Sequence, residues 1–222
     1  MIFAIATGPG SYFISLITAW FLNELSPRAR SIVTFIFYAP SISGNAMLVW
    51  TLAFSGDSYG YVNGWLMKLG IISEPILWFT NTKYIMPLCI VVSLWMSLGT
   101  SFLAFIAGFQ GINHDMYEAA AIDGIKNRWQ ELWYVTLPSM KPQLMFGAVM
   151  AITGAFNFGG VVESLAGNPT TDYCAYTLTM HLNEYSGVRW EVGYASAIAF
   201  IMFLLMFGSN MLIHKLLSKV GQ

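Results

Sequence analysis

Five stretches of about twenty mostly apolar residues dominate this chain, and their length limits what it can fold into. They run over 2–22, 31–54, 84–109, 142–162 and 193–214. A helix rising ~1.5 Å per residue needs about 20 apolar residues to cross a bilayer's hydrocarbon core. Lipid offers no hydrogen bonds, so a spanning segment must pair its own backbone, as a helix or a closed barrel does. The stretches predict an all-α, polytopic membrane helical bundle, one domain over 1–222. Composition agrees: 56% of the residues are hydrophobic and 9% charged, where a soluble domain carries about 25% charged. The stretches contain Gly, Pro or small polar residues, as at Gly8-Pro9-Gly10 and Ala39-Pro40-Ser41. Such interruptions need neighbouring helices to satisfy freed backbone groups, which predicts a packed bundle and not a lone anchor.

Several function classes drop out early. The net charge of −1 gives no electrostatic case for nucleic acid. Three scattered histidines lack metal-ligand spacing. Cys89 sits in an apolar run and reads as a core residue, whereas Cys174 lies in a polar loop; the pair makes no disulfide framework. No Ser/His/Asp or Cys/His set is evident. No Gly-x-x-x-x-Gly-Lys-Ser/Thr loop occurs, so any ATP is hydrolysed by another chain. No cofactor is implied.

Lys and Arg set the orientation. With the 110–141 connector inside, the inner segments hold Arg28, Arg30, Lys126, Arg128, Lys141, Lys215 and Lys219, and the outer ones Lys68, Lys83 and Arg189. That topology starts residue 1 outside, entering a span at once. The initial run is not a signal peptide, because it lacks a positive n-region and a cleavage site. The outer segment 55–83 reads as a turn and a short surface helix over 62–69, with Trp65, Trp78 and Phe79 suited to the membrane interface. The outer segment 163–192 is polar, with a turn at Gly167-Asn168-Pro169.

The most informative stretch is 117–138, a polar, helix-prone island between two apolar segments. Asp115 and Glu118 have capping-box spacing. Gly124 suits the left-handed residue that ends a helix. A second start follows at Asn127 and Gln130, after which Trp129, Leu132 and Trp133 share one helical face. Pro138 and Pro142 punctuate re-entry into the bilayer. Two short helices on a glycine elbow make a rigid knuckle, able to carry force. Periodicity alone fits an amphipathic connector lying on the membrane equally well.

The pattern Glu118-Ala119-Ala120, Gly124, then Val135-x-Leu137-Pro138 resembles the cytoplasmic EAA loop of binding-protein-dependent ABC-importer permeases. Ten residues, Ile125 to Tyr134, separate the glycine from the branched residue, one more than that family's spacing. The segment 34–60 and Trp129-Gln130-x-x-Trp133 resemble the carbohydrate-uptake (sugar permease) branch. The resemblance implies a type I importer fold in a bacterial cytoplasmic membrane. It implies coupling to ABC ATPase subunits through Tyr117, Glu118, Ala119, Ala120, Asp123, Gly124, Leu137 and Pro138. Further implied partners are a second, unlike permease chain and an extracellular solute-binding protein, with a sugar or oligosaccharide as substrate. Against that branch, this sequence is expected to lack about one N-terminal helix and its outer loop, Met1 being an internal or misplaced start.

Polar residues inside spans are functional candidates. Asn45 falls mid-span, and Phe156 and Phe158 flank Asn157 ahead of Glu163. Aromatic faces and amides suit a sugar's rings and hydroxyls, so these five are the candidate substrate path. Ser93, Ser97, Thr100, Ser101 and Thr153 read mainly as helix-packing hydroxyls. The alternatives are a permease for another solute (peptide, polyol or amino acid) and an ion-coupled secondary transporter. The latter needs buried acids or broken helices, and the spans hold almost no charge.

Overall fold

The computed structural model describes residues 2–217; Met1 and Lys219, which enter the sequence reading above, lie outside it. The described residues form helices and connecting loops, without strands. In order come α1 (Ile2–Asn23), α2 (Pro27–Ile42), α3 (Ala46–Ala53), α4 (Tyr61–Lys68), α5 (Thr82–Met96) and α6 (Thr100–Gln110). They are followed by α7 (His114–Ile122), α8 (Arg128–Glu131), α9 (Leu137–Ser139), α10 (Lys141–Phe156), α11 (Gly159–Ala166), α12 (Leu178–Asn183) and α13 (Val192–Leu217).

Among the described residues, only α1 and α13 are single helices long and apolar enough to cross a membrane. The other three apolar stretches are bent pairs: α2–α3 by 84°, α5–α6 by 41° and α10–α11 by 42°. If each pair is one span, the total is five. The sequence places a breaker at each bend. Pro40 and Gly44 precede α3, Gly99 precedes α6, and Gly159-Gly160 open α11. Pro removes a backbone donor and clashes with the preceding turn, while Gly gives up helix propensity.

Helix α1 is the common wall of the bundle, packed on α2, α5, α6 and α10. One core cluster joins it to α6, α10 and the connector through Ala19, Leu22, Phe102, Phe105, Leu137 and Leu144. A second joins Phe3 to α5, α11 and α12 through Ile85, Cys89, Val92, Val162 and Met180. Cys89 is thus a core residue, as its apolar run implied, and half-buried Cys174 packs against the same cluster. Helix α13 touches the bundle mainly through α10 and leaves most of its apolar surface outward.

The segment 55–83 is built around one amide. Buried Asn63 donates through Nδ2 to the carbonyls of Ser55, Asp57 and Ile76 at 3.0, 3.1 and 3.0 Å. Its Oδ1 accepts from Ile76 N at 3.2 Å and from Trp78 Nε1 at 2.9 Å. Trp78 and Phe79 are therefore drawn inward, and only Trp65 of the expected interface trio stays exposed. The segment 163–192 is more ordered than a polar turn: it holds the end of α11, all of α12 and a π-helical turn at Glu184–Val188. The Tyr176 hydroxyl donates to Glu184, which also takes the Arg189 guanidinium. These bonds, Tyr176 foremost, hold the Glu184 carboxyl below its ordinary range.

The approach of α6 to α10 depends on Gly147. A Cβ there would lie 2.3 Å from Phe105 Cζ, and Phe105 is fully buried. Gly147→Ala is expected to destabilise the protein by about 1–3 kcal/mol through overpacking, lowering the unfolding midpoint in detergent. The double change with Phe105→Leu should recover part of the loss. An unchanged midpoint in Gly147→Ala would mean that this approach does not hold the bundle together.

Candidate functional site

The connector between α6 and α10 is two short helices on an elbow. Helix α7 starts at Asn113, whose side chain accepts from Asp115 N at 3.2 Å. The expected capping box at Asp115 and Glu118 does not form, because Asn113 caps the helix first. Asp115 falls in the first turn, where a negative charge complements the helix dipole. Glu118 instead lies 3.4 Å from His114 Nδ1, both side chains exposed. At the other end Gly124 has φ +96°. Its N–H donates to Ala121 O at 3.2 Å and that of Ile125 to Ala120 O at 3.0 Å. This pair of bonds is the Schellman ending, which needs a left-handed residue and so favours Gly.

Helix α8 is capped as its sequence implied. Asn127 Oδ1 accepts from Gln130 N at 2.9 Å, and Gln130 Oε1 accepts from Lys126 N at 3.0 Å. The chain then widens into a π-helical turn at Leu132–Thr136 before α9. Such a turn closes i to i+5 and so holds one residue more than an α-helical turn. One residue is the excess between Gly124 and Val135.

That turn also redistributes the aromatic face. Leu132 is buried in the core, while Trp129 and Trp133 are exposed. Trp129 lies 4.9 Å from the ring of Trp20 on α1. Arg128 bonds Glu131 of its own helix and Glu24, just past α1, at 2.9 Å each, so Arg128 and Trp129 together give the connector two contacts at the end of α1. The two short helices are tied to each other by Tyr117 Oη and Thr136 Oγ1 at 3.0 Å. The Thr136 hydroxyl itself donates to Glu131 O at 3.2 Å, which makes Tyr117 the donor.

The predicted coupling residues divide into two sets. Glu118, Ala119, Asp123 and Gly124 are exposed, beside exposed Met116 and Ile122. Ala120 and Leu137 are buried within this chain, at 7% exposure each, and Tyr117 and Pro138 are half-buried. Of the two alanines expected to dock, Ala119 is exposed and Ala120 is covered within this chain. Between the connector and the ends of α1, α2 and α6 lies an open cavity of about 610 Å³. Glu24, Glu118, Glu131, Arg30, His114 and Arg128 bring both signs of charge to it.

The predicted substrate residues are not all brought together. Asn45 stands exposed at the α2–α3 break, Asn157 exposed at the α10–α11 break, and Glu163 exposed on α11. Phe156 and Phe158 are half-buried and line a cavity of about 340 Å³ with Phe3, Tyr176 and Thr179. Phe158 meets Phe3 edge-on at 5.8 Å. Asn157 and Glu163 do not line that cavity. The hydroxyls of Ser97 and Thr153 donate to carbonyls of their own helices at 2.7 and 2.9 Å, a packing role. Ser101 crosses from α6 to Gly147 O at 3.2 Å. Among the described residues no group of His, Cys, Asp and Glu is placed to hold a metal.

Up to five apolar spans, three of them bent, and a rigid polar connector define a multi-pass transport component of a membrane. The chain belongs to the family described as binding-protein-dependent transport system inner membrane component, which matches residues 11–221. It is accordingly a multi-pass protein of the bacterial cytoplasmic membrane. It is 31% identical over 198 residues to the probable ABC transporter permease protein YesP of Bacillus subtilis, covering 86% of this chain and 62% of that one. It is 28% identical to the arabinooligosaccharides transport system permease protein AraP of the same organism, covering 87% of this chain and 61% of that one. The chain thus spans about three fifths of the length of these two relatives. It is 27% identical to the lactose transport system permease protein LacF of Rhizobium radiobacter, covering 93% and 70%. The fold is that of a chain in the crystal structure of a bacterial ABC transporter importing the acidic polysaccharide alginate. There the TM-score is 0.77 at 21% identity, over 98% of this chain and 80% of that one.

The elbow gives a direct test. A Cβ at Gly124 would meet nothing within 4 Å, so substitution there acts through the backbone alone. Gly124→Val should cost about 1–3 kcal/mol of local strain and accelerate hydrogen exchange at the end of α7. Gly124→Asn should be milder, since Asn tolerates positive φ. Equal exchange in wild type and the Val variant would contradict the left-handed ending.

Proposed function

We propose that this chain is a transmembrane subunit of an ATP-driven importer, forming part of the path for a sugar or oligosaccharide. It is a transport subunit and not an enzyme: a partner pair of ABC ATPase subunits hydrolyses the ATP and docks on the connector. The observation that carries this reading is the connector itself. It presents Glu118, Ala119 and Asp123 outward while Leu132 and Leu137 anchor it in the core cluster. The relatives' names support a saccharide substrate, and a second similar structure is of an alginate transporter in complex with a pentasaccharide-bound periplasmic protein. By analogy this chain receives its substrate from a solute-binding protein and pairs with a second, unlike permease chain. Membrane lipid covers the outward faces of α13 and α2.

In this mechanism nucleotide-driven closure of the ATPase pair pushes on the outward face of α7. The push passes through the Tyr117–Thr136 bond to the π-turn, and through Arg128–Glu24 and Trp129–Trp20 to α1. Because α1 borders both core clusters, its tilt moves the wall they share. The ion-coupled alternative gains the broken helices it needs, but no carboxylate is buried among the described residues, which leaves a coupling ion without an anionic ligand.

Two measurements test the reading. The connector and the C-terminus are placed in the cytoplasm, and 55–83 and 163–192 outside. In a cysteine-free background, an impermeant thiol reagent on intact cells should label Asp172→Cys and not Lys126→Cys. The reverse pattern would invert the protein in the membrane. Docking is tested by co-purification of the ATPase with the assembled transporter. Glu118→Lys reverses a charge and Ala119→Trp adds bulk on the outward face, so each should release the ATPase with the membrane bundle intact. Retention of the ATPase and full transport in both variants would leave the connector a passive surface element.

A further inference from the structure

The connector's two arms turn different chemistry outward. On α7 the outward face carries Glu118, Ala119 and Asp123, whereas past the elbow Trp129, Trp133 and Tyr134 stand 62%, 61% and 74% exposed. The π-helical turn sets that second face: it buries Leu132, Val135 and Thr136 and turns Trp133 and Tyr134 out side by side. A contiguous exposed face of large rings marks a protein partner or a membrane.

Position in the chain decides between them. Tyr134, Pro138, Pro142 and Phe146 recur every four residues; Pro138 is half-buried and the other three are exposed. Met140 N donates to Thr136 O at 3.1 Å and Leu144 N to Met140 O at 3.0 Å, which carries helical backbone across the joint into α10. Residues four apart on a helix share a face, so Tyr134 stands at the foot of the apolar stretch that α10 takes into the membrane. Trp129 points the same way. It lies on Trp20, and Trp20 lies 5.4 Å from exposed Phe21, where the outward stripe of Phe13, Ile17 and Phe21 on α1 ends. Both helices thus bring aromatic rings to the level where their apolar spans stop. Trp and Tyr collect there because the ring body suits the acyl boundary while its N–H or O–H stays among the headgroups. Exposed Lys126, before α8, and exposed Arg28, in the first turn of α2, add positive charge at this end of the bundle, which complements lipid phosphate. The exposed acids Glu118 and Asp123 lie on the other arm.

We propose that the second arm of the connector, α8 with the π-turn, is seated in the phospholipid headgroup layer on its own side of the membrane, with Trp133 and Tyr134 as its anchors. So seated, it fixes how far α7 projects and leaves α7 alone to meet another protein. The docking element and the membrane-surface helix are then one arm each of the same connector. The inference goes beyond the import reading and stands on the membrane assignment; only the choice of leaflet rests on the proposed topology.

The test uses the complete importer in liposomes. Trp133→Cys and Tyr134→Cys, made one at a time in a chain free of Cys89 and Cys174, carry a nitroxide, and each variant keeps the other aromatic anchor. Collisions with oxygen, which concentrates in the bilayer, are compared with those of a water-soluble nickel chelate. Glu74→Cys in an exposed loop is the aqueous reference, and Phe203→Cys on the outward face of α13 the hydrocarbon one. The oxygen-to-nickel ratio at positions 133 and 134 should lie between the two. A ratio equal to either reference, or exclusion of both reagents by a covering protein, would overturn the proposal. As a second measurement, the double variant Trp133→Ser, Tyr134→Ser should retain the ATPase in full, where Ala119→Trp releases it. Loss of the ATPase from the double variant would assign these rings to the ATPase contact and overturn the lipid seat. Neither failure touches the import reading, which is tested by the α7 variants.

Discussion

Everything in this molecule depends on α1 being held by two cores at once. Its half nearer the connector, through Ala19 and Leu22, belongs to the cluster of Phe102, Phe105 and Leu137. Its other end, at Phe3, belongs to the cluster of Cys89, Val92 and Val162. In lipid there is no hydrophobic drive between helices, so association rests on close packing and hydrogen bonds. Gly147 and Ala19 supply the closeness, and Ser101 Oγ to Gly147 O supplies a bond between α6 and α10. A helix gripped along its whole length moves as a body, which is what a transmission element requires.

The connector is the complementary device. Its stiffness comes from small local bonds: two Asn caps, a Schellman ending and the Tyr117–Thr136 link. The exposed Arg128–Glu24 pair adds only about 0.2–1 kcal/mol. Its value is directional, because it joins residues 104 positions apart in sequence. Stiffness inside the connector and a directed contact to α1 together give force a path from an outer surface into the bundle.

Much of this was legible in the chain. Hydropathy gave the five stretches, Gly124 the elbow, and Asn127 and Gln130 the second helix start, because each is a local property of consecutive residues. What sequence pattern did not reveal depends on folding. The bends showed only as scattered Pro and Gly, with no angle attached. Asn113 and Asp115 are both good capping residues, and only the backbone makes Asn113 the cap. Ala119 and Ala120 are alike in sequence, and only the fold exposes one and buries the other. Trp78 read as an interface residue because its bond to Asn63 spans 15 positions.

The central claim is that the connector and α1 move as one body when the ATPase acts. Distances between pairs of spin labels in the assembled transporter, with and without ATP, measure this most directly. Labels at Ala119 on α7, Phe21 on α1 and Phe207 on α13 suffice, since all three side chains stand outside the packed core. The account predicts an unchanged 119–21 distance, with 119–207 and 21–207 both shifting on ATP binding. A change in 119–21 with 21–207 fixed would show the connector sliding over a stationary α1, and would contradict it.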